Sequence, residues 1–180
     1  DCSCLYRGNG GEIKSLDPQF IGGQWEANVI GAAMMGLTTE DAAGHPIAGA
    51  AQSWTVSPDG LVWRFHLRAA RWSDGVPVTA QDFVFAWRRL LDPKTAAPYA
   101  YIMWVVKNGQ AISAGKLPPA ALGVSARDER TLVVTLEHPA PYLPELLMHQ
   151  TAYPIPRHAV VRYGNAWSRA EHYVSNGPYI

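Results

Sequence analysis

Between Ser57 and Pro93 the hydrophobic period of the chain changes twice, and that change constrains the fold more than any other feature. Ser57-Pro58-Asp59-Gly60 carries the residue types of a tight turn. Beyond it Trp63, Phe65 and Leu67 alternate with Arg64, His66 and Arg68, the two-residue period of a half-buried strand. Ser73-Asp74-Gly75 makes a second turn, and Thr79 then stands three residues before Asp82, the spacing of a capping box. Phe83, Trp87, Leu90 and Leu91 follow as one apolar helical stripe, which Asp92-Pro93 ends. A strand and a capped helix so close together must share a core.

The remaining elements fit the same class. Leu132, Val134 and Leu136 alternate after the Asp128-Glu129-Arg130 turn and predict a strand paired with Val124 to Ala126. Val29, Ile30, Ala33, Met34 and Leu37 recur at helical spacing, predicting a buried helix from Glu26 to Leu37 before Gly44-His45-Pro46 breaks the chain. Shorter helices are expected over Tyr142 to Met148 and Pro156 to Tyr163, the latter with Gly164 past its end. Leu5 to Leu16 reads as a short strand and loop stopped by Asp17-Pro18. With no βαβ rhythm, the fold class is α+β (mixed α/β).

Composition narrows the function. The 15 basic and 15 acidic residues cancel, so no long-range field draws nucleic acid or anionic lipid to the chain. No apolar run approaches the roughly 18 residues of a membrane span. No signal peptide stands at Asp1, so an export signal is expected to have been removed or never included. Cys2 and Cys4 are too close to staple a fold; they are either frayed terminal thiols or, although Asp1 precedes them, a lipid attachment site. Gly8-Asn9-Gly10-Gly11 lacks the Lys-Ser/Thr ending of a phosphate cradle and reads as a turn. His45, His66, His138, His149, His158 and His172 have no zinc spacing, and no nucleophile motif surrounds them. A binding protein is expected, not an enzyme, with no metal and no cofactor. A carbohydrate-binding module, suggested by seven tryptophans, is disfavoured because Trp63 and Trp87 sit on core-facing patterns.

One ordered series of motifs carries more. Ala51-Gln52-Ser53-Trp54, Ser57-Pro58-Asp59-Gly60, Trp63 to Arg68 and Trp72-Ser73-Asp74-Gly75 are followed by Val76-Pro77-Val78-Thr79-Ala80-Gln81-Asp82-Phe83, Trp87, Asp92-Pro93, Thr95-Ala96 and Pro98-Tyr99-Ala100. The series closely resembles the oligopeptide-binding family of extracytoplasmic solute-binding proteins, and the resemblance runs from Ser15-Leu16-Asp17-Pro18 to Asn176-Gly177-Pro178-Tyr179. It implies a fold like the type II periplasmic binding proteins, in which two lobes close on an extended peptide, and a role as the ligand-capturing component of an ABC importer. Family members are much longer, so the chain is expected to be an N-terminal fragment: residues 1–34 opening the first lobe, residues 35–156 forming an accessory domain, residues 157–180 returning to the lobe, and the second lobe absent. The implied partners are a peptide ligand and membrane permease subunits. The complete protein would be a monomer in the periplasm or another extracytoplasmic space.

The resemblance also implies ligand-binding residues. Gly22, Gly23 and Gln24 stand where relatives present main-chain groups to the peptide, and Tyr99 matches a tyrosine lining the cleft, although a lobe-packing aromatic is an equal reading. The better-known oligopeptide binders have an acidic residue where Gly22 stands and an arginine where Gly31 stands. A relative carrying a nickel complex, haem or an opine therefore stays open beside the peptide reading. Trp72-Ser73-Asp74-Gly75 and Thr79 are assigned to structure: a tight turn, a helix cap and buried area.

Overall fold

The computed structural model describes residues 8–177. A 3-10 turn at Pro18–Phe20 leads into helix α1 (Gln24–Ala33), and strands β1 (Thr38–Glu40) and β2 (Pro46–Ala48) form a small antiparallel hairpin. Strands β3 (Ala51–Val56) and β4 (Val62–Leu67) precede helix α2 (Ala80–Leu91), and the short helix α3 (Gly109–Ser113) comes before strands β5 (Val124–Asp128) and β6 (Thr131–Thr135). Helices α4 (Leu143–Leu146) and α5 (Arg157–Tyr163) complete the set, with 3-10 segments at Gln150–Ala152 and Gly164–Ser168. The mixture of helices with antiparallel sheets is the expected α+β class.

The main sheet has the order β3-β4-β6-β5. Its register explains why the two alternating runs belong together. Trp63 pairs with Val134 and Phe65 with Leu132, while Val124 and Ala126 face the same two β6 residues from the other side. All the β4 and β6 members of this set are buried, so a single apolar face is built from three strands. Helix α2 lies across it through Phe83, Val84, Trp87, Leu90 and Leu91, and Trp87 donates its indole N–H to the Ala152 carbonyl at 2.8 Å. Burying side chains of this size contributes about 1.5–3 kcal/mol each.

The start of α2 is set by one carboxylate. Asp82 Oδ2 accepts from the Thr79 backbone N–H at 2.8 Å, from the Thr79 hydroxyl at 3.1 Å and, more weakly, from the Trp72 indole N–H at 3.4 Å. The capping box is thus fused to the preceding turn through a buried tryptophan. In that turn Gly75 has φ +88°, which favours glycine, Asp74 reaches His158 on α5 at 2.7 Å, and Ser73 and Ser175 exchange two hydrogen bonds. The Trp-Ser-Asp-Gly motif holds distant segments together.

Two expectations are corrected. The first helix ends at Ala33, and Met34 is extended, so Leu37 is not a helical residue. Asn176 bonds both the Met35 N–H and the Met35 carbonyl at 3.0 Å, and the Gly36 and Leu37 carbonyls accept from Gly49, Ala50 and Ala51. Those partners take the backbone groups that further helix would need. Helix α1 is also only half-buried: Glu26 and Ile30 are its buried members. In the opening segment Leu5 lies outside the described residues, and residues 8–16 form no strand. They are held instead by α1: Gly10 and Gly11 lie against the Trp25 ring, and the Lys14 N–H donates to Glu26 at 3.0 Å. That bond is the main cause lowering the Glu26 carboxyl below its ordinary range.

Asp17 ties these parts together. Its carboxylate accepts the Gln19 N–H at 3.0 Å and the Trp167 indole N–H at 3.1 Å, and it pairs with Arg89 of α2 at 2.9 Å. Both partners of the ion pair are largely buried. Asp17→Ala should therefore lower the stability of the chain by about 3–5 kcal/mol, because a buried guanidinium loses its counter-charge. Thr79→Ala, which removes one capping hydroxyl, should cost on the order of 1 kcal/mol. Urea unfolding of both variants tests the ranking, and a smaller loss for Asp17→Ala than for Thr79→Ala would overturn it.

Candidate functional site

Helix α1 presents Gln24, Asn28 and Gly31 at spacings of four and three residues, which places them along one face. That face looks across a cleft of about 510 Å³ at Glu145, Met148, His149, Gln150 and Tyr153, with Thr39 and Glu40 of β1 also in its wall. The opposite wall is positioned by the packing of α1 on the 3-10 turn Gln150–Ala152 and by the Thr38 hydroxyl, which donates to the Pro144 carbonyl at 2.7 Å. Gly36 is required beneath it: a Cβ there would stand 2.5 Å from the Tyr153 ring.

Of the expected site residues, Gln24 lines this cleft, and Gly22, Gly23 and Tyr99 do not. Gly22 and Gly23 immediately precede α1, and Gln24 lines the cleft, donating its side-chain amide to Asn28 at 2.8 Å. A Cβ on Gly22 would meet nothing within 4 Å, and Gly23 is extended, so neither packing nor backbone strain demands glycine at these positions. Gly22 is exposed, whereas Gly23 is half-buried and its carbonyl accepts the Ala27 N–H at 3.3 Å. Tyr99 is half-buried, with its ring 5.4 Å from that of His149 and 6.0 Å from that of Tyr101. His149 is therefore the physical link between Tyr99 and the cleft.

Asn28, Glu40, Glu145, His149, Gln150 and Tyr153 escaped the sequence reading as cleft residues. The spacing of Gln24 and Asn28 carried a signal for one of them; the others arrive from β1 and the 145–153 segment by tertiary packing. Burial pushes the Tyr153 hydroxyl up to about 12, with the Glu40 charge adding to it, so the group is a neutral phenol at physiological pH. Burial also holds the His149 imidazole below its ordinary range. Among the described residues no group of three or more His, Cys, Asp or Glu side chains is arranged to hold a metal ion. The cleft offers amide, carboxylate and phenol groups for hydrogen bonding to a ligand.

The sequence model for bacterial extracellular solute-binding proteins, family 5, matches residues 45–180. The chain belongs to this family. It is 47% identical to the periplasmic oligopeptide-binding protein OppA of Salmonella typhimurium over 182 aligned residues, covering 99% of the chain and 33% of that protein. The crystal structure of Haemophilus influenzae OppA in complex with RPPGFSPFR superposes with a TM-score of 0.92 at 49% identity, covering 95% of this chain and 34% of that one. The probable deoxycholate-binding periplasmic protein of Escherichia coli is 40% identical over 169 residues, covering 92% of the chain and 32% of that protein. The chain thus spans about a third of the length of the curated relatives it matches. No described helix is long and apolar enough to cross a membrane.

The family member's His149 supplies a pH test. Its Nδ1 accepts the Thr151 N–H at 3.2 Å, a role open only to a ring whose Nδ1 carries no proton. The unfolded chain takes up a proton near pH 6.5, whereas the folded chain resists until lower pH, so the unfolded state binds more protons in that window. The contribution of His149 to stability is full above about pH 6.5 and is lost as the pH falls toward the depressed folded value. His149→Asn keeps an acceptor without titrating. Urea midpoints at pH 7.5 and 5.5 should fall further for the parent than for this variant; equal falls would refute the role.

Proposed function

We propose that this chain is part of the substrate-binding component of an ABC importer, which captures oligopeptides outside the cytoplasmic membrane and delivers them to permease subunits. The observation that carries this reading is the match to a peptide-bound OppA at 49% identity and a TM-score of 0.92 over 95% of the chain. Residues 1–34 and 157–180 belong to the first ligand-gripping lobe and residues 35–156 to an accessory domain. The complete protein is periplasmic, as its OppA relatives are named. It acts by binding and release, and its captured peptide reaches the permease unchanged.

The chemistry follows from recognition through main chain. An extended peptide satisfies its own N–H and carbonyl groups by strand-like bonds to main chain, which makes recognition tolerant of side-chain identity. The exposed Gly22, with Gly23 and Gln24 after it, is the stretch of main chain assigned to this role, and Tyr99 supplies an aromatic wall through His149. Closure by a second lobe then removes water from these bonds. Without that closure a peptide remains largely hydrated, and its ordering entropy is not offset.

The deoxycholate-binding relative favours a second reading, a non-peptide solute held on the same scaffold. Titration calorimetry on the full-length protein separates the two. A mixed pool of short peptides should bind at micromolar concentration or tighter, and Tyr99→Ala should weaken binding about tenfold, close to 1.4 kcal/mol, while moving the melting temperature little. The 180-residue chain alone should bind no peptide in that range. Deoxycholate binding without peptide binding selects the second reading, and micromolar peptide binding by the chain alone refutes the division into lobes.

A further inference from the structure

We propose that the Gly8-Asn9-Gly10-Gly11 run is a strap that sets the hydrogen-bonding polarity of the cleft: Asn9, acting through Asn28, holds the Gln24 side chain so that its Oε1 accepts a backbone N–H of the bound peptide. The inference rests on the peptide-binding reading and adds a positioning residue and a ligand contact to it.

The strap is built for close approach. Gly10 has φ +78°, a conformation that favours glycine, and a Cβ on it would stand 2.7 Å from the Trp25 ring. A Cβ on Gly11 would stand 2.9 Å from the same indole. Two residues without side chains are therefore what lets the chain lie against Trp25. Farther along, the bond from the Lys14 N–H to Glu26 fastens the segment to the same helix. Asn9 is thereby carried to the face of α1 that bears Gln24 and Asn28, both in the cleft wall.

Two backbone carbonyls then dictate the polarity of three side-chain amides. Asn9 Nδ2 donates to the Gly11 and Trp25 carbonyls, each at 3.2 Å, which uses both of its hydrogens and fixes the direction of the group. Asn9 Oδ1 is left as the acceptor and takes Asn28 Nδ2 at 3.3 Å. Asn28 Oδ1 in turn takes Gln24 Nε2 at 2.8 Å. The relay ends on Gln24 Oε1, an acceptor carried by an exposed residue of the cleft wall. A peptide N–H is the complementary group, and it is present whatever the peptide's side chains are. Without the relay, Gln24 could turn either end of its amide to the ligand and would be ordered only on binding; Asn9 makes that choice beforehand.

The test is calorimetry on the full-length protein with the shortest polyalanine that binds, starting from trialanine, and with analogues in which an ester oxygen replaces one peptide N–H at a time. At one position the ester should bind the parent about fivefold more weakly than the peptide, and Gln24→Ala and Asn9→Ala should each reduce that ratio to less than about twofold. A strap that merely stabilised the fold would weaken peptide and ester alike and leave the ratio standing. The double variant Asn9→Ala with Gln24→Ala should bind the peptide no more weakly than Gln24→Ala alone, because both changes remove one contact. Should Asn9→Ala not fold, Asn28→Ala, which cuts the relay at its centre, is read in its place. A ratio near one at every position of the parent, or a ratio that survives in these variants, overturns the proposal and leaves peptide binding intact. Absence of binding by every polyalanine also overturns it, and if the mixed pool of short peptides fails as well, the peptide reading falls with it.

Discussion

Asp17 is a carboxylate removed from water whose three donors come from three parts of the chain: its own turn, helix α2 and the segment that follows α5. Taking the charge out of solvent is costly, and the cost is offset only when all of these donors are in place. The arrangement is cooperative for that reason. Arg89 also holds the Gln19 side chain and lies 5.6 Å from the centre of the Phe20 ring, so the turn that feeds α1 is oriented by the helix that covers the main sheet. Trp167 stacks on Tyr173, whose hydroxyl is raised well above its ordinary range first by burial and then by the Asp17 charge. The position of α1, and with it one wall of the cleft, depends on this buried centre.

The opposite wall hangs on the apolar core. Trp87 reaches from α2 to the Ala152 carbonyl, and the segment ending in Tyr153 is thereby anchored to the same helix that Asp17 grips through Arg89. Helix α2 is thus the common reference for both sides of the cleft. Its own start is fixed by Asp82 and Trp72, which makes the Trp-Ser-Asp-Gly motif a device of support at a distance from the ligand groups proposed here. Stiff support and an uncovered α1 N-terminus are complementary. The first keeps the hydrogen-bonding groups in place; the second leaves Gly22 exposed at the start of the helix.

Local patterns in the sequence were reliable wherever one element answered to one period. Trp63, Phe65 and Leu67 alternate onto the one buried face of β4, and the stripe from Phe83 to Leu91 is buried where α2 packs against β5 and β6. Patterns failed where side chains from far away compete for the backbone. The apolar run through Met34 and Leu37 has helical spacing, but Asn176, 141 residues distant, takes both backbone groups of Met35. The opening was expected as a short strand followed by a loop; over residues 8–16 there is no strand, and the Trp25 ring and the Glu26 carboxylate hold the segment.

The sequence by itself determined the α+β class, the two alternating strands, the capped helix and the family, because each of these is written in spacings of a few residues or in an ordered run of motifs. The tertiary structure alone decided what faces the cleft. Glu40, His149 and Tyr153 belong to segments more than a hundred residues apart in part, and nothing in their local context distinguishes a cleft wall from an ordinary surface. Tyr153 shows the reason: a buried tyrosine looks like core in any sequence pattern, and only the packing around it places it in the wall of the cleft.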